Sequence, residues 1–262
     1  MNRFVGAALA LALLLPAAPA RALETDVRTL EPRPGVTVSF LLLQPEGSPV
    51  ASVILFSGGD GVINIKNARN PRWGRGNFLV RTRELFAGEG LLVAVPEVPS
   101  DHATGYGRFR ASKDHAADVA AMIASLKMVA PVPVWLVGTS RGTVSAAFVA
   151  ARLRQGGPDG LVLTSTVTER SRVVTDTVVD ADLGQIRVPT LIVHHKLDNC
   201  VVTKYDIARL LARGFKNALR AEFVAFEGGV SVGDPCEAFA YHGYNGIEAE
   251  VVRTIAAWIK AN

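Results

Sequence analysis

One pentapeptide, Gly138-Thr139-Ser140-Arg141-Gly142, most constrains what this chain can fold into. It follows the apolar run Val134-Trp135-Leu136-Val137 and opens an alanine-rich stretch from Val144 to Leu153. The three pieces predict strand, sharp turn and helix, with Ser140 at the apex. The pattern is G-x-S-x-G, that of a nucleophile elbow. So tight a turn holds the serine in a strained backbone conformation. Small residues two before and two after it let strand and helix approach closely. The hydroxyl is lifted out of the sheet, and the N–H of Arg141, at the start of the helix, is placed to donate to an oxyanion.

The rest of the chain supplies a sheet for such a turn. Residues 23–56 read as opening strands, with Val36 to Leu43 an alternating run that ends apolar and Ala51 to Phe56 more deeply buried. Leu91 to Val95, Leu161 to Ser165, Thr190 to His194 and Ala221 to Phe226 read as further strands. Between them helices are expected at Asn77 to Ala87, Ser112 to Val129, Lys204 to Ala212 and from about Gly246 onward. Ser112 is a suitable N-cap, and His115 in the same first turn is expected to help cap it. Strands alternating with helices from residue 51 to the end predict an α/β fold, a mostly parallel sheet covered on both faces.

Ser57-Gly58-Gly59-Asp60-Gly61 follows the second buried run. Glycines there let the backbone approach a ligand and turn N–H groups toward it. A second oxyanion donor is expected in this loop, with Gly59 the first choice and Asp60 the second. From Gly61 to Arg83 the chain carries six basic residues and no acid, a solvated loop or a positive rim.

The N-terminus has the layout of a secretory leader: Arg3, an apolar run from Val5 to Leu15, and A-x-A sites at Ala18-Pro19-Ala20 and Ala20-Arg21-Ala22. The run is too short for the roughly 20 residues that span a bilayer. Cleavage after residue 22 is expected to leave a single domain, 23–262, in the periplasm or outside the cell, with no stable membrane insertion. Removing Arg3 and Arg21, and no acid, lowers the net charge from +4 to +2. That balance gives no reason to expect a nucleic-acid partner. With 49% hydrophobic and 20% charged residues, disorder is not expected. The only cysteines, Cys200 and Cys236, form an even pair in an oxidising compartment and are expected to be bonded, two buried thiols being the alternative.

A serine nucleophile needs a base, and the base an orienting acid. Ligands of a parallel sheet bind beyond the carboxyl ends of its strands. His242 lies in the loop after the last strand, and Asp198 lies four residues beyond His194 at another strand end. The order Ser140, Asp198, His242 is the one this architecture uses. His194, His195, His115 and His102 are rival bases, and Asp234 is a rival acid. No H-E-x-x-H, cysteine cluster or G-x-G-x-x-G after the first strand points to a metal or dinucleotide cofactor.

On these residues the chain, over roughly 27–262, resembles the α/β-hydrolase superfamily. Its lid-poor layout looks most like the small esterase and dienelactone-hydrolase-like branch. The resemblance implies Ser140 as nucleophile, His242 as base then acid, Asp198 as the group fixing the imidazole tautomer, and a small ester as substrate. Two residues depart from the family pattern. Ser57 stands where a histidine is common, and Ser140 stands where the dienelactone branch has cysteine. A bond between Cys200 and Cys236 would tie the acid loop to the histidine loop. A non-catalytic binding protein on the same fold is the second reading.

Overall fold

The computed structural model describes residues 24–65, 74 and 76–262. The leader expected at residues 1–22, and the basic positions Lys66, Arg69, Arg72 and Arg75, lie outside the described residues. Eight strands form one sheet: β1 Glu24–Arg33, β2 Val36–Gln44, β3 Ala51–Phe56, β4 Leu91–Pro96, β5 Val134–Thr139, β6 Gly160–Thr164, β7 Thr190–His195 and β8 Ala221–Phe226. Their order is β1-β2-β4-β3-β5-β6-β7-β8. β1 pairs antiparallel with β2, and β2 antiparallel with β4; every other pairing is parallel.

Strands β3 to β7 are buried along their whole length because both sheet faces are covered. Side chains alternate between two cores. Ile54, Phe56 and Leu136 pack with Met122 and Ile123 of α3, Lys113–Val129, and with Ala146 and Val149 of α4, Gly142–Arg152. Val53, Leu55 and Val137 pack on the other face. There they meet Phe78 of α1, Phe78–Arg81, Phe86 of α2, Arg83–Gly88, and Val251 and Ile255 of α6, Glu248–Lys260. Among the described residues, no helix is long and apolar enough to cross a membrane.

Three local expectations are corrected. The helix expected over 77–87 is two short helices, broken at Thr82, whose hydroxyl donates to the carbonyl of Phe78 at 2.7 Å. A threonine bonding back one turn competes with the helical ladder and bends it. The helix expected over 204–212 is only α5, Tyr205–Ala208, followed by a 3-10 turn at Leu211–Gly214. Only Ala208 and Leu211 of that segment are buried, too little burial to hold a longer helix. Ser112 caps α3 alone, accepting from the N–H of His115 at 2.9 Å, while the His115 side chain is buried against Phe56, Tyr106 and Phe109.

The chain leaves β3 to one side for β4 and returns on its other side for β5. A crevice opens at the carboxyl ends of strands that part in this way. The Ser57–Gly61 loop and Ser140 both fall there.

Candidate active site

Ser140 joins β5 to α4 with φ 51, in the left-handed region. A non-glycine residue there is strained and persists only when its surroundings hold it. Its N–H donates to the carbonyl of Thr164 at 3.1 Å, and its own carbonyl accepts from the Thr143 hydroxyl at 2.6 Å. The flanking glycines are sterically required. A Cβ on Gly142 would lie 2.1 Å from the carbonyl oxygen of Phe56, and one on Gly138 would lie 2.5 Å from that of Gly142.

Asp198 and His242 are brought together from 44 residues apart: His242 Nδ1 lies 3.0 Å from Asp198 Oδ2. Both residues are buried. The carboxylate also accepts from the Cys200 N–H and the Thr203 hydroxyl, each at 3.0 Å, and His194 Nε2 lies 3.3 Å from Oδ2. Burial by itself would raise the Asp198 carboxyl, but the hydrogen bonds from His194 and His242 outweigh it and hold the group well below the usual carboxylate range. A charged acceptor places hydrogen on His242 Nδ1 and leaves Nε2 as a lone-pair acceptor.

Ser140 and His242 line one cleft of about 500 Å³, together with Gly58, Gly59, Asn77 and Phe239. No hydrogen bond joins the Ser140 hydroxyl to His242 Nε2. Gly59 has φ 59 and is exposed at the cleft, next to Asp60. The Arg141 guanidinium pairs with the Asp60 carboxylate at 2.8 Å, linking the elbow to the loop that carries the other candidate donor. The Gly59 and Arg141 N–H groups make no hydrogen bond to the described residues.

None of the rivals lines the cleft with Ser140. His194 Nε2 is 2.8 Å from the Thr203 carbonyl and fully buried. His195 Nε2 is 2.9 Å from the Gly228 carbonyl, and its Nδ1 accepts from the Leu197 N–H at 3.0 Å. His102 sits 3.0 Å from Asp101. His115 is enclosed by Phe56, Tyr106 and Phe109. Asp234 accepts from the Cys236 N–H at 2.8 Å and has no histidine partner. Among the described residues, no group of three or more His, Cys, Asp or Glu side chains is arranged to hold a metal ion.

Cys200 and Cys236 are bonded, 36 residues apart. Arg81 and Arg83, the described part of the basic stretch, are already paired, with Glu248 and Glu84.

Several supporting residues had no signal in the sequence. The Ser165 hydroxyl donates to the carbonyl of His242, and Tyr244 bridges the Ser165 N–H and the Val193 carbonyl. Arg81 donates to the carbonyls of Gly76 and Gly243, tying the cleft wall to the residue after His242. Arg110 holds the Ser57–Gly61 loop from beneath. These contacts join residues far apart in the chain, and no local pattern announces them.

The chain shares this architecture with solved α/β hydrolases. A cold-adapted esterase from an Arctic intertidal metagenomic library matches with a TM-score of 0.60 at 17% identity, over 90% of this chain and 94% of that one. An α/β serine hydrolase without lid from Xanthomonas campestris matches at 0.58 and 14%, over 92% and 98%. A dienelactone hydrolase from Anabaena variabilis matches at 0.60 and 13%, over 91% and 97%. No family model and no curated protein matches the sequence. At such identities the likeness establishes the fold: this chain has the α/β-hydrolase fold.

Proposed function

We propose that the protein is an exported serine hydrolase acting on carboxylic esters or thioesters with a compact acyl group. The observation that carries this reading is the buried 3.0 Å contact between His242 and Asp198, at the cleft that Ser140 enters from its strained turn. Ser140 attacks the carbonyl carbon while His242 Nε2 takes its proton, and Asp198 stabilises the imidazolium that forms. The Arg141 N–H and a donor from the Ser57–Gly61 loop hold the oxyanion. The tetrahedral intermediate collapses as His242 returns the proton to the leaving alcohol or thiol. Water, activated by the same histidine, then releases the acyl group from Ser140. The separation of Ser140 from His242 suits a resting site that tightens on substrate.

Export through a cleavable leader, residues 1–22, is part of the proposal, as is a single catalytic domain over 23–262. The Cys200–Cys236 bond supports export, because such bonds persist in oxidising compartments.

Hydrolysis of p-nitrophenyl esters from acetate to decanoate, by the mature protein and its Ser140→Ala variant, tests the mechanism. The expected result is turnover that the variant loses, with an optimum at short acyl chains. An inert wild type that also resists fluorophosphonate labelling would transfer the site to the second reading, a binding protein.

A further inference from the structure

The geometry points to Arg110 as the positioning residue that turns the Ser57–Gly61 loop into an oxyanion-binding surface. This deepens the hydrolase reading and rests on it. Arg110 lies in the 3-10 turn Gly107–Ala111 and is 2% exposed. Its Nη2 donates to the carbonyls of Ser57 at 3.1 Å and Gly59 at 3.2 Å. Its Nη1 donates to the Ser145 hydroxyl of α4 at 2.9 Å, so one side chain joins the loop to the elbow helix. The guanidinium lies over the Tyr106 ring, 4.6 Å from its centre, and the Tyr106 N–H donates to the Asp60 carbonyl at 2.9 Å.

Three carbonyls of one five-residue loop are therefore drawn toward the 106–110 segment. A trans peptide is planar, with its C=O and N–H pointing in opposite directions. The N–H groups of Gly58, Asp60 and Gly61 are thus turned away from that segment. Gly61 fits this contact only without a side chain, since a Cβ there would lie 2.3 Å from Tyr106 and 2.8 Å from Arg110. The peptide whose carbonyl Arg110 holds at Gly59 carries the Asp60 N–H, the second of the two donors considered from sequence.

The arrangement is costly. A guanidinium this buried has no carboxylate hydrogen-bonded to it, and its Nε has no hydrogen-bond partner. Burial pulls its pKa down to about 10. An apolar side chain would fill the space without that penalty, but it could not orient two carbonyls.

The test compares Arg110→Met, Arg110→Lys and Arg110→Ala with wild type and Ser140→Ala on p-nitrophenyl acetate. Arg110→Met should lower kcat by about 10²-fold, the scale of a lost oxyanion donor, with KM within about threefold. Arg110→Lys should recover part of the loss, and added guanidinium should restore part of the activity of Arg110→Ala. A lower Tm with unchanged kcat per folded molecule would reduce Arg110 to a packing role and overturn the proposal. If wild type hydrolyses no ester, the hydrolase reading fails by itself. A crystal structure of Arg110→Met then decides separately: a rotated Gly59–Asp60 peptide upholds the orienting role, and an unmoved one overturns it.

Discussion

The Ser165 hydroxyl donates a 2.7 Å hydrogen bond to the backbone carbonyl of His242 across 77 residues of sequence. Ser165 follows β6 directly with φ 44, beside the elbow strand, so this bond ties the histidine loop to the sheet edge that holds Ser140. Ser165→Ala leaves a buried carbonyl unpaired, a loss of about 1–3 kcal/mol. The expected outcome is a lower Tm together with a fall in kcat of about tenfold at nearly constant KM, because the imidazole loses its backbone anchor. Ester kinetics and thermal melts on one preparation measure both. A kcat equal to that of wild type would show that the Tyr244 and Arg81 contacts hold the loop without Ser165.

The disulfide joins the same histidine loop to the loop that carries Asp198. The Cys200 N–H donates to Asp198 Oδ1, and Cys236 lines the cleft six residues before His242. Closing a loop of 36 residues stabilises the fold by about 3–4 kcal/mol in the chain-entropy model. The double variant Cys200→Ala, Cys236→Ala should melt at lower temperature and turn over esters more slowly. Dithiothreitol should move wild type in the same direction and leave the double variant unchanged. If melting and turnover both survive, the bond does not hold the acid and base loops in register.

What the sequence made legible is what lies close together in the chain or follows a fixed order. Gly138 to Gly142 announces its own turn because both glycines are required within five residues. Asp198 and His242 are recognisable because each follows a strand at the edge where ligands bind. The pairing of Cys200 with Cys236 was legible by count. Thr82 was not, because its hydroxyl bond to Phe78 overrides an apolar pattern that continues through it. The first strand, Glu24–Arg33, was not resolved as one element because an edge strand can carry polar side chains on both faces. Arg110 carries no local signal in the sequence. Its partners Ser57 and Ser145 lie 53 and 35 residues away, and only the folded sheet brings them within reach.

Gly58 is packed against the candidate nucleophile. A Cβ there would lie 2.9 Å from Ser140 Cβ, 3.1 Å from Asn77 Nδ2 and 3.3 Å from the Thr139 carbonyl. Two of these neighbours belong to the elbow and can move only by relaxing its strained turn. Gly58→Ala should cost about 1–3 kcal/mol of stability through overpacking. It should slow fluorophosphonate labelling of Ser140 far more than the change in melting explains. Gly88→Ala is the control: nothing lies within 4 Å of its Cβ position, and labelling should not change. Equal labelling rates in both variants would show that Ser140 tolerates displacement.

His115 makes stability depend on pH well above the range where carboxylates protonate. It is 2% exposed, neither ring nitrogen has a hydrogen-bond partner, and it packs against Phe56, Tyr106 and Phe109. Burial first, then the charges of Arg110, Arg33 and His102, lower its pKa to about 3. The unfolded chain protonates this histidine near its ordinary value of about 6.5, while the folded chain keeps it neutral. The contribution to stability is therefore complete above about 6.5 and is lost as pH falls from there toward 3. Between pH 7 and pH 5 the loss is about 2 kcal/mol. Asp198 is also depressed, so its contribution is present above the ordinary carboxylate range and is lost only below about pH 4, outside this window. Urea unfolding of wild type and His115→Leu at both pH values isolates the effect. The variant should lose about 2 kcal/mol less than wild type on acidification. Parallel losses in the two proteins would mean that His115 is protonated, or solvated, inside the fold, and that the apolar packing around it is not the barrier to charging it.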